Sequence, residues 1–335
     1  VVNRYLKPFM THGKVFRKLG FWTIGAIYFL ILVGGIVRAT GSGMGCPDWP
    51  KCFGTWVPPT DISQLPSNYK EIYGVKLKGE VEFNAIKTWI EYINRLLGVI
   101  IGFLVFGTFV SSFISFRKKD KTIVFLSLLA TILVAFEGWL GSKVVSSELH
   151  PVTITLHMIL SVIIVLILLY AVARSYNYVI EVEEVADKGS LSFLLSSAIF
   201  LTTGQVLLGT QVREAVDQVS NVMGNVLRSE WVSNLGGKFQ MHAFFSIIIV
   251  FINLLIYYRV KESIVEKGLL SKFANGLIIT IGIELISGLS LVFLGFPKLM
   301  QPIHLTLGTL AIGIQFVIFL FLNKERVFRS NASQV

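Results

Sequence analysis

The stretch Glu137–Leu160, EGWLGSKVVSSELHPVTITLHMIL, is where the fold becomes readable. Its polar landmarks return 147 positions on, in ELISGLSLVFLGFPKLMQPIHLTL: Glu284 for Glu137, Gly288 for Gly141, His304 for His157. Each copy is an apolar run holding a carboxylate, then a small residue, a short loop, and a histidine just inside the next apolar run. Ionisable side chains inside membrane-type segments are costly and default to a functional reading. Two copies at one offset predict two similar sites built by duplication.

Working outward, 53% of the residues are hydrophobic and 15% charged, where a soluble domain carries about a quarter charged. Apolar runs of about 18 residues or more mark membrane spans. The chain has eight candidates, at 20–38, 88–114, 122–142, 151–173, 191–211, 238–258, 273–294 and 301–322. The expected fold is an all-α integral membrane protein of eight transmembrane helices, two tandem four-helix bundles related by a parallel pseudo-twofold repeat. Expected boundaries are a basic arm 1–19, an N-terminal half 20–173 with a long outer loop 39–86, a linker 174–190, a C-terminal half 191–322 and a tail 323–335.

The net charge of +10 does not point to nucleic acid, because the basic residues cluster in alternate loops. They are Arg4, Lys7, Lys14, Arg17 and Lys18 in the arm, then Arg117, Lys118, Lys119 and Lys121, then Arg259, Lys261, Lys267 and Lys272, then Lys324, Arg326 and Arg329. With eight spans all of these share one side, which the positive-inside rule makes cytoplasmic, along with both termini. The net acidic loop 174–189 is the exception. No cleavable signal peptide or mitochondrial presequence is visible, so a bacterial plasma membrane is the expected location. His12 in the basic arm reads as a surface residue, and His150 at the outer mouth of span four as an interfacial one.

Span one ends GGIVR and span five GTQVR, each placing an arginine, Arg38 or Arg213, at the outer helix end on the face of a glycine one turn earlier. Each is a snorkelling anchor or a counter-ion for an anionic ligand group. Cys46 and Cys52, the only cysteines, lie in the outer loop. An oxidising compartment favours a disulfide between them, as a structural staple or as a redox-active dithiol. Span two carries Glu91, Asn94 and Arg95, and at an offset of 148 Asn94 falls on His242 of span six. Glu91 lies one turn outward from Asn94, at the edge of a first-half ligand or simply paired with Arg95 or Lys87.

His157, His242 and His304 lie about three to six residues inside their spans from the outer side, at most about 9 Å deep, and Asn94 is at similar depth. Two histidines at one level on facing helices suit axial ligation of a haem in a bundle core, with the arginines placed for propionates. A zinc or copper site would want further nearby ligands. The bland reading of each histidine is a buried side chain bonded to a neighbouring helix. Glu137 and Glu284 read as proton-relay groups or as carboxyls kept neutral by burial.

With these residues in view, the eight-span plan, the segment GGIVRATGSGMGCPDWPKCFG at 34–54, the Glu91–Arg95 segment and the histidines of spans four, six and eight resemble the haem A synthase family. The resemblance covers nearly the whole chain, and the 34–54 segment is its most specific part. It implies oxidation of the C8 methyl of haem O to a formyl group by successive hydroxylations. It also implies a haem b cofactor between His242 and His304 and a substrate haem near His157 and Glu91. On the residues themselves, Arg213 is expected beside the haem b, Arg38 and Arg95 beside the substrate haem, and Glu91 as the catalytic residue. Cys46 and Cys52 would form the family's outer-loop pair. One departure stands out. The family's span-two motif usually reads Glu-x-x-His-Arg, and here the fourth position is Asn94. An amide is a poor iron ligand, so a five-coordinate substrate haem on His157 is expected. Implied partners are haem O, the haem O synthase that supplies it and the lipid bilayer, with a homo-oligomer also allowed. Two other classes compete: a b-type cytochrome carrying electrons from quinol, which needs neither Glu91 nor the cysteine loop, and a repeat-built transporter, which would want broken helices near the midplane.

Overall fold

The computed structural model describes residues 13–74, 82–177, 179–180, 182, 185, 187–224, 228–263 and 268–328. Arg4, Lys7 and His12 of the basic arm, with Lys267 and Arg329, lie outside the described residues. Among those described, eight helices are long and apolar enough to cross a membrane: α1 Lys14–Ala39, α2 Ala85–Phe116, α3 Lys121–Ser146, α4 Pro151–Tyr176, α5 Lys188–Met223, α6 Gly236–Ser263, α7 Leu269–Phe293 and α8 Met300–Leu322. The chain is a multi-pass, all-helical membrane protein. Large apolar side chains such as Phe103, Phe200 and Phe293 stand exposed, as lipid-facing residues do and as the surface of a soluble monomer rarely allows.

Local chemistry explains the helix starts. Asn84 accepts the Lys87 N–H (3.0 Å), Asp120 the Thr122 N–H (3.1 Å) and Asp187 the Ser190 N–H (3.1 Å), satisfying donors that the first turn leaves unpaired. His150 does the same for α4 through Nδ1 and the Val152 N–H (3.3 Å), with Pro151 at the first helical position. It is thus a cap, more specific than the interfacial role expected. Asp120 also takes Arg174 Nε at 2.7 Å, tying the α2–α3 corner to the end of α4.

Helix α5 corrects the expected span 191–211, which ended just before Arg213. It runs on to Met223 because an amphipathic period outlasts the apolar run. Val212, Val216, Val219 and Met223 form a stripe that packs against Trp231, Leu235, Phe239 and Phe296. Arg213 therefore stands inside a continuous helix and not at its end, whereas Arg38 is in the last turn of α1.

Packing within the first four helices runs α1–α2, α2–α3, α3–α4 and α1–α4, and within the last four α5–α6, α6–α7, α7–α8 and α5–α8. The groups meet chiefly where α8 packs on α1 and α4. Helix α8 is the centre: 61% of its apolar stretch is buried, against 17–28% for the other seven. Its Gln315, fully buried, donates to Thr202 Oγ1 of α5 (3.1 Å) and Asn253 Oδ1 of α6 (2.9 Å), polar glue between helices. Small residues make the seam with α1. A Cβ on Gly35 would stand 2.7 Å from Pro302 Cβ and 3.0 Å from its Cα. Gly35→Val is expected to cost about 1–3 kcal/mol by overpacking and to push α8 away two residues before His304. A thermal melt in detergent checks this, and an unchanged midpoint would show that the seam yields freely.

Candidate functional site

The facing imidazoles of α6 and α8 are the heart of the site. The rings of His242 and His304 lie 6.2 Å apart, centroid to centroid, with planes inclined at 73°. Two imidazoles that each give a nitrogen to one metal ion at about 2 Å hold their centroids about 6 Å apart. The spacing fits one iron shared between them. Their wall is a cavity of about 300 Å³, at the lower end of the range for cofactor sites, about 300–1,000 Å³.

Each imidazole owes its place to neighbours. His304 Nδ1 is 3.0 Å from Ser287 Oγ, 3.2 Å from the Glu284 carbonyl oxygen and 3.3 Å from Glu284 Oε1. The first two are hydrogen bonds, which occupy Nδ1 and leave Nε2 for a ligand. The backbone carbonyl of His242 accepts from Gln205 Nε2 of α5 at 2.7 Å, while His242 Nδ1 is buried with no hydrogen-bond partner. Glycines supply the room. A Cβ on Gly288 would stand 3.1 Å from His304 Cε1, and one on Gly209 3.4 Å from His242 Cε1.

The same small grammar appears in the first four helices. His157 Nδ1 lies 3.2 Å from Glu137 Oε1, and a Cβ on Gly141 would stand 3.4 Å from His157 Cε1. On α2 the Asn94 Oδ1 is buried without a hydrogen-bond partner among the described residues, and a Cβ on Gly34 would stand 4.0 Å from it. The His157 side chain is 39% exposed against 25% for His304, so the first-half imidazole is the more open of the two.

Arg38 and Arg213 converge at the outer end of the cavity, both lining it. Asp217, one turn beyond Arg213 on the extended α5, takes Arg38 Nη2 at 3.3 Å and Arg213 Nη2 at 2.7 Å, and Arg213 also pairs with Gln301. Arg38 was expected to serve the first-half ligand, yet it reaches across to the second-half cavity.

Glu91 and Arg95 do something the sequence did not disclose: α2 is a docking rail for the outer loop. Cys46 and Cys52 are disulfide-bonded. The Cys46 N–H donates to Glu91 Oε2 at 2.8 Å and Thr88 Oγ1 to the Gly45 carbonyl at 2.9 Å. Arg95 donates to the carbonyls of Asp48 (2.7 Å), Cys46 (3.0 Å) and Lys51 (3.1 Å), and pairs with Glu91 one turn away. Asp48 in turn accepts the Phe53 and Gly54 N–H groups at 2.6 and 2.8 Å. Arg95 therefore holds protein carbonyls, and Glu91 is buried beneath the disulfide. Of the expected residues, His242, His304, Arg213 and Arg38 share one cavity, while Glu91 and Arg95 form a separate cluster with the cysteines. Three partners went unread: Glu284 and Glu137 as companions of the imidazoles, and Asp217 between the arginines. The first two carried a signal, since each carboxylate stands one turn before the glycine under a histidine.

Fold and site define a multi-pass helical membrane protein whose bundle presents paired imidazoles and paired guanidinium groups to one cavity. The model of a family described as cytochrome oxidase assembly protein matches residues 17–316, and the chain belongs to that family. It is similar to proteins named heme A synthase: 27% identical over 208 residues to one from Shewanella oneidensis, 26% over 225 residues to one from Bartonella bacilliformis, and 37% over 131 residues to one from Nitrosomonas eutropha. These matches cover 62%, 63% and 37% of this chain, and 59%, 61% and 36% of the relatives. The alignments thus span less than two thirds of the relatives' length. The resemblance drawn from the 34–54 segment and the histidines holds at the level of the family.

Proposed function

We propose that the chain is a haem A synthase of a bacterial plasma membrane, oxidising the C8 methyl of haem O to a formyl group by successive hydroxylations. The observation that carries this reading is the His242–His304 pair, 6.2 Å apart in a cavity rimmed by Arg38 and Arg213. His242 and His304 would hold a haem b, and the two guanidinium groups would meet its carboxylates. When bound, haem b supplies one-electron transfer.

The substrate haem O belongs to the first half. His157 would ligate its iron, with Glu137 Oε1 3.2 Å from its Nδ1. The unpartnered Asn94 Oδ1 supports a polar, non-ligating contact on the opposite face. Glu91 lies one turn outward from Asn94 and is fixed by Arg95 and the Cys46 N–H. It would accept or return a proton as the methyl group is oxidised. Glu91→Gln is expected to stall turnover with substrate or hydroxylated intermediate still bound. Full product yield from that variant would leave Glu91 as a loop anchor alone.

A b-type cytochrome would use the same His242–His304 pair, so the products decide. Cells expressing the chain with a source of haem O are extracted and the haems separated by chromatography. New haem A is expected. Unchanged haem O alongside bound haem b would favour the electron carrier.

A further inference from the structure

We infer that Glu284 is a positioning residue that fixes the His304 ring and strengthens it as a ligand, so that the two axial imidazoles of this site are unequal. The inference rests on the haem-binding reading above. His304 Nδ1 is hydrogen-bonded to Ser287 Oγ at 3.0 Å and to the Glu284 backbone oxygen at 3.2 Å, and Glu284 Oε1 lies 3.3 Å away. Only an Nδ1–H tautomer satisfies them, which leaves Nε2 bare toward the cavity. At Gly288, one turn after Glu284, an added Cβ would stand 3.1 Å from His304 Cε1, so a side chain there would press on the ring. The ring is thereby seated over the glycine and beside the carboxylate.

The arrangement is not an accident of one helix pair. Glu137, Gly141 and His157 repeat the residue set at the 147-residue offset, with Nδ1 3.2 Å from Oε1 but not hydrogen-bonded to it. Among the described residues Glu284 Oε2 is buried with no hydrogen-bond partner, and Oε1 lies beside the His304 ring at 3.3 Å from Nδ1. His242 differs. Among the described residues its Nδ1 is buried without a hydrogen-bond partner and no carboxylate pairs with it. A carboxylate behind a ligating histidine raises the basicity of the ligand and favours the oxidised metal. Glu284 thus holds the reduction potential down through His304 alone.

The holoprotein, purified in detergent, is titrated potentiometrically on its haem band, and its oxidised form is examined by low-temperature EPR. Glu284→Gln keeps the shape and removes the charge. It is expected to retain haem, raise the midpoint potential and change the low-spin g values. Ser287→Ala, which leaves the carboxylate in place, should shift the midpoint less. If Glu284→Gln does not accumulate, Glu284→Asp, which draws the carboxylate back by one methylene, is expected to move the midpoint in the same direction. A midpoint and EPR spectrum identical to those of the unmodified protein, in whichever of the two accumulates, would overturn the inference. Unmodified protein that is free of haem would overturn it together with the haem-binding reading, a result the titration distinguishes from an unmoved midpoint.

Discussion

His304→Ala is expected to empty the second-half site, with haem content in purified protein falling about tenfold or more, since even the outer partners of a ligand are worth 10–100-fold in metal affinity. The loss has two parts. One is the ligand bond that His304 would make to the proposed haem, which leaves His242 as the sole imidazole. The other is the shell behind it: Ser287 Oγ and the Glu284 carbonyl and carboxylate, all within 3.3 Å of His304 Nδ1, lose their common partner inside the bundle. A companion variant separates site from fold. His150→Ala removes a helix cap at the start of α4, at a cost of about 1 kcal/mol, and should keep its full haem complement. Pyridine haemochrome analysis of both proteins makes the comparison. Haem retained at wild-type level by His304→Ala would remove α8 from the site.

Arg95→Ala is expected to release the outer loop. The Arg95 side chain is 13% exposed and Glu91 is 4% exposed, and the guanidinium also holds three backbone carbonyls of the cysteine segment. Removing one member of a buried pair typically costs about 3–5 kcal/mol, because the other charge is left uncompensated. Lysine would not substitute, since a point charge cannot reach three carbonyls and a carboxylate as a planar fork does. Limited proteolysis of the detergent-solubilised protein reads the effect as rapid cleavage near Pro47–Trp56 in the variant and resistance in the parent. Equal resistance would mean that the disulfide and the Asp48 turn hold the loop unaided.

The contrast between these two variants shows what a sequence discloses. Histidines inside apolar runs stand out because hydropathy and charge are properties of side chains, and the offset of 147 positions draws Glu137 and Glu284 into view with them. The eight spans were legible for the same reason. The acceptors of Arg95 are main-chain carbonyls of Cys46, Asp48 and Lys51, and every residue has one, so no letter marks them. The reach of α5 past Arg213 was hidden differently. Hydropathy fades at Gln211, but the apolar period of Val212, Val216 and Val219 continues, and only a test of period would have followed it. The meeting of Arg38 with Asp217, 179 positions away, needed the packing of α1 on α8, which local pattern does not specify.

One iron gripped between α6 and α8 is the claim on which the functional reading stands. Low-temperature EPR of the oxidised, purified protein, with haem counted per chain, tests it at once. A low-spin signal from an iron with two imidazole ligands, lost in both His242→Ala and His304→Ala and kept in His157→Ala, is the expected result. Colourless protein from porphyrin-replete cells, or a low-spin signal that survives either of the first two substitutions, would contradict it.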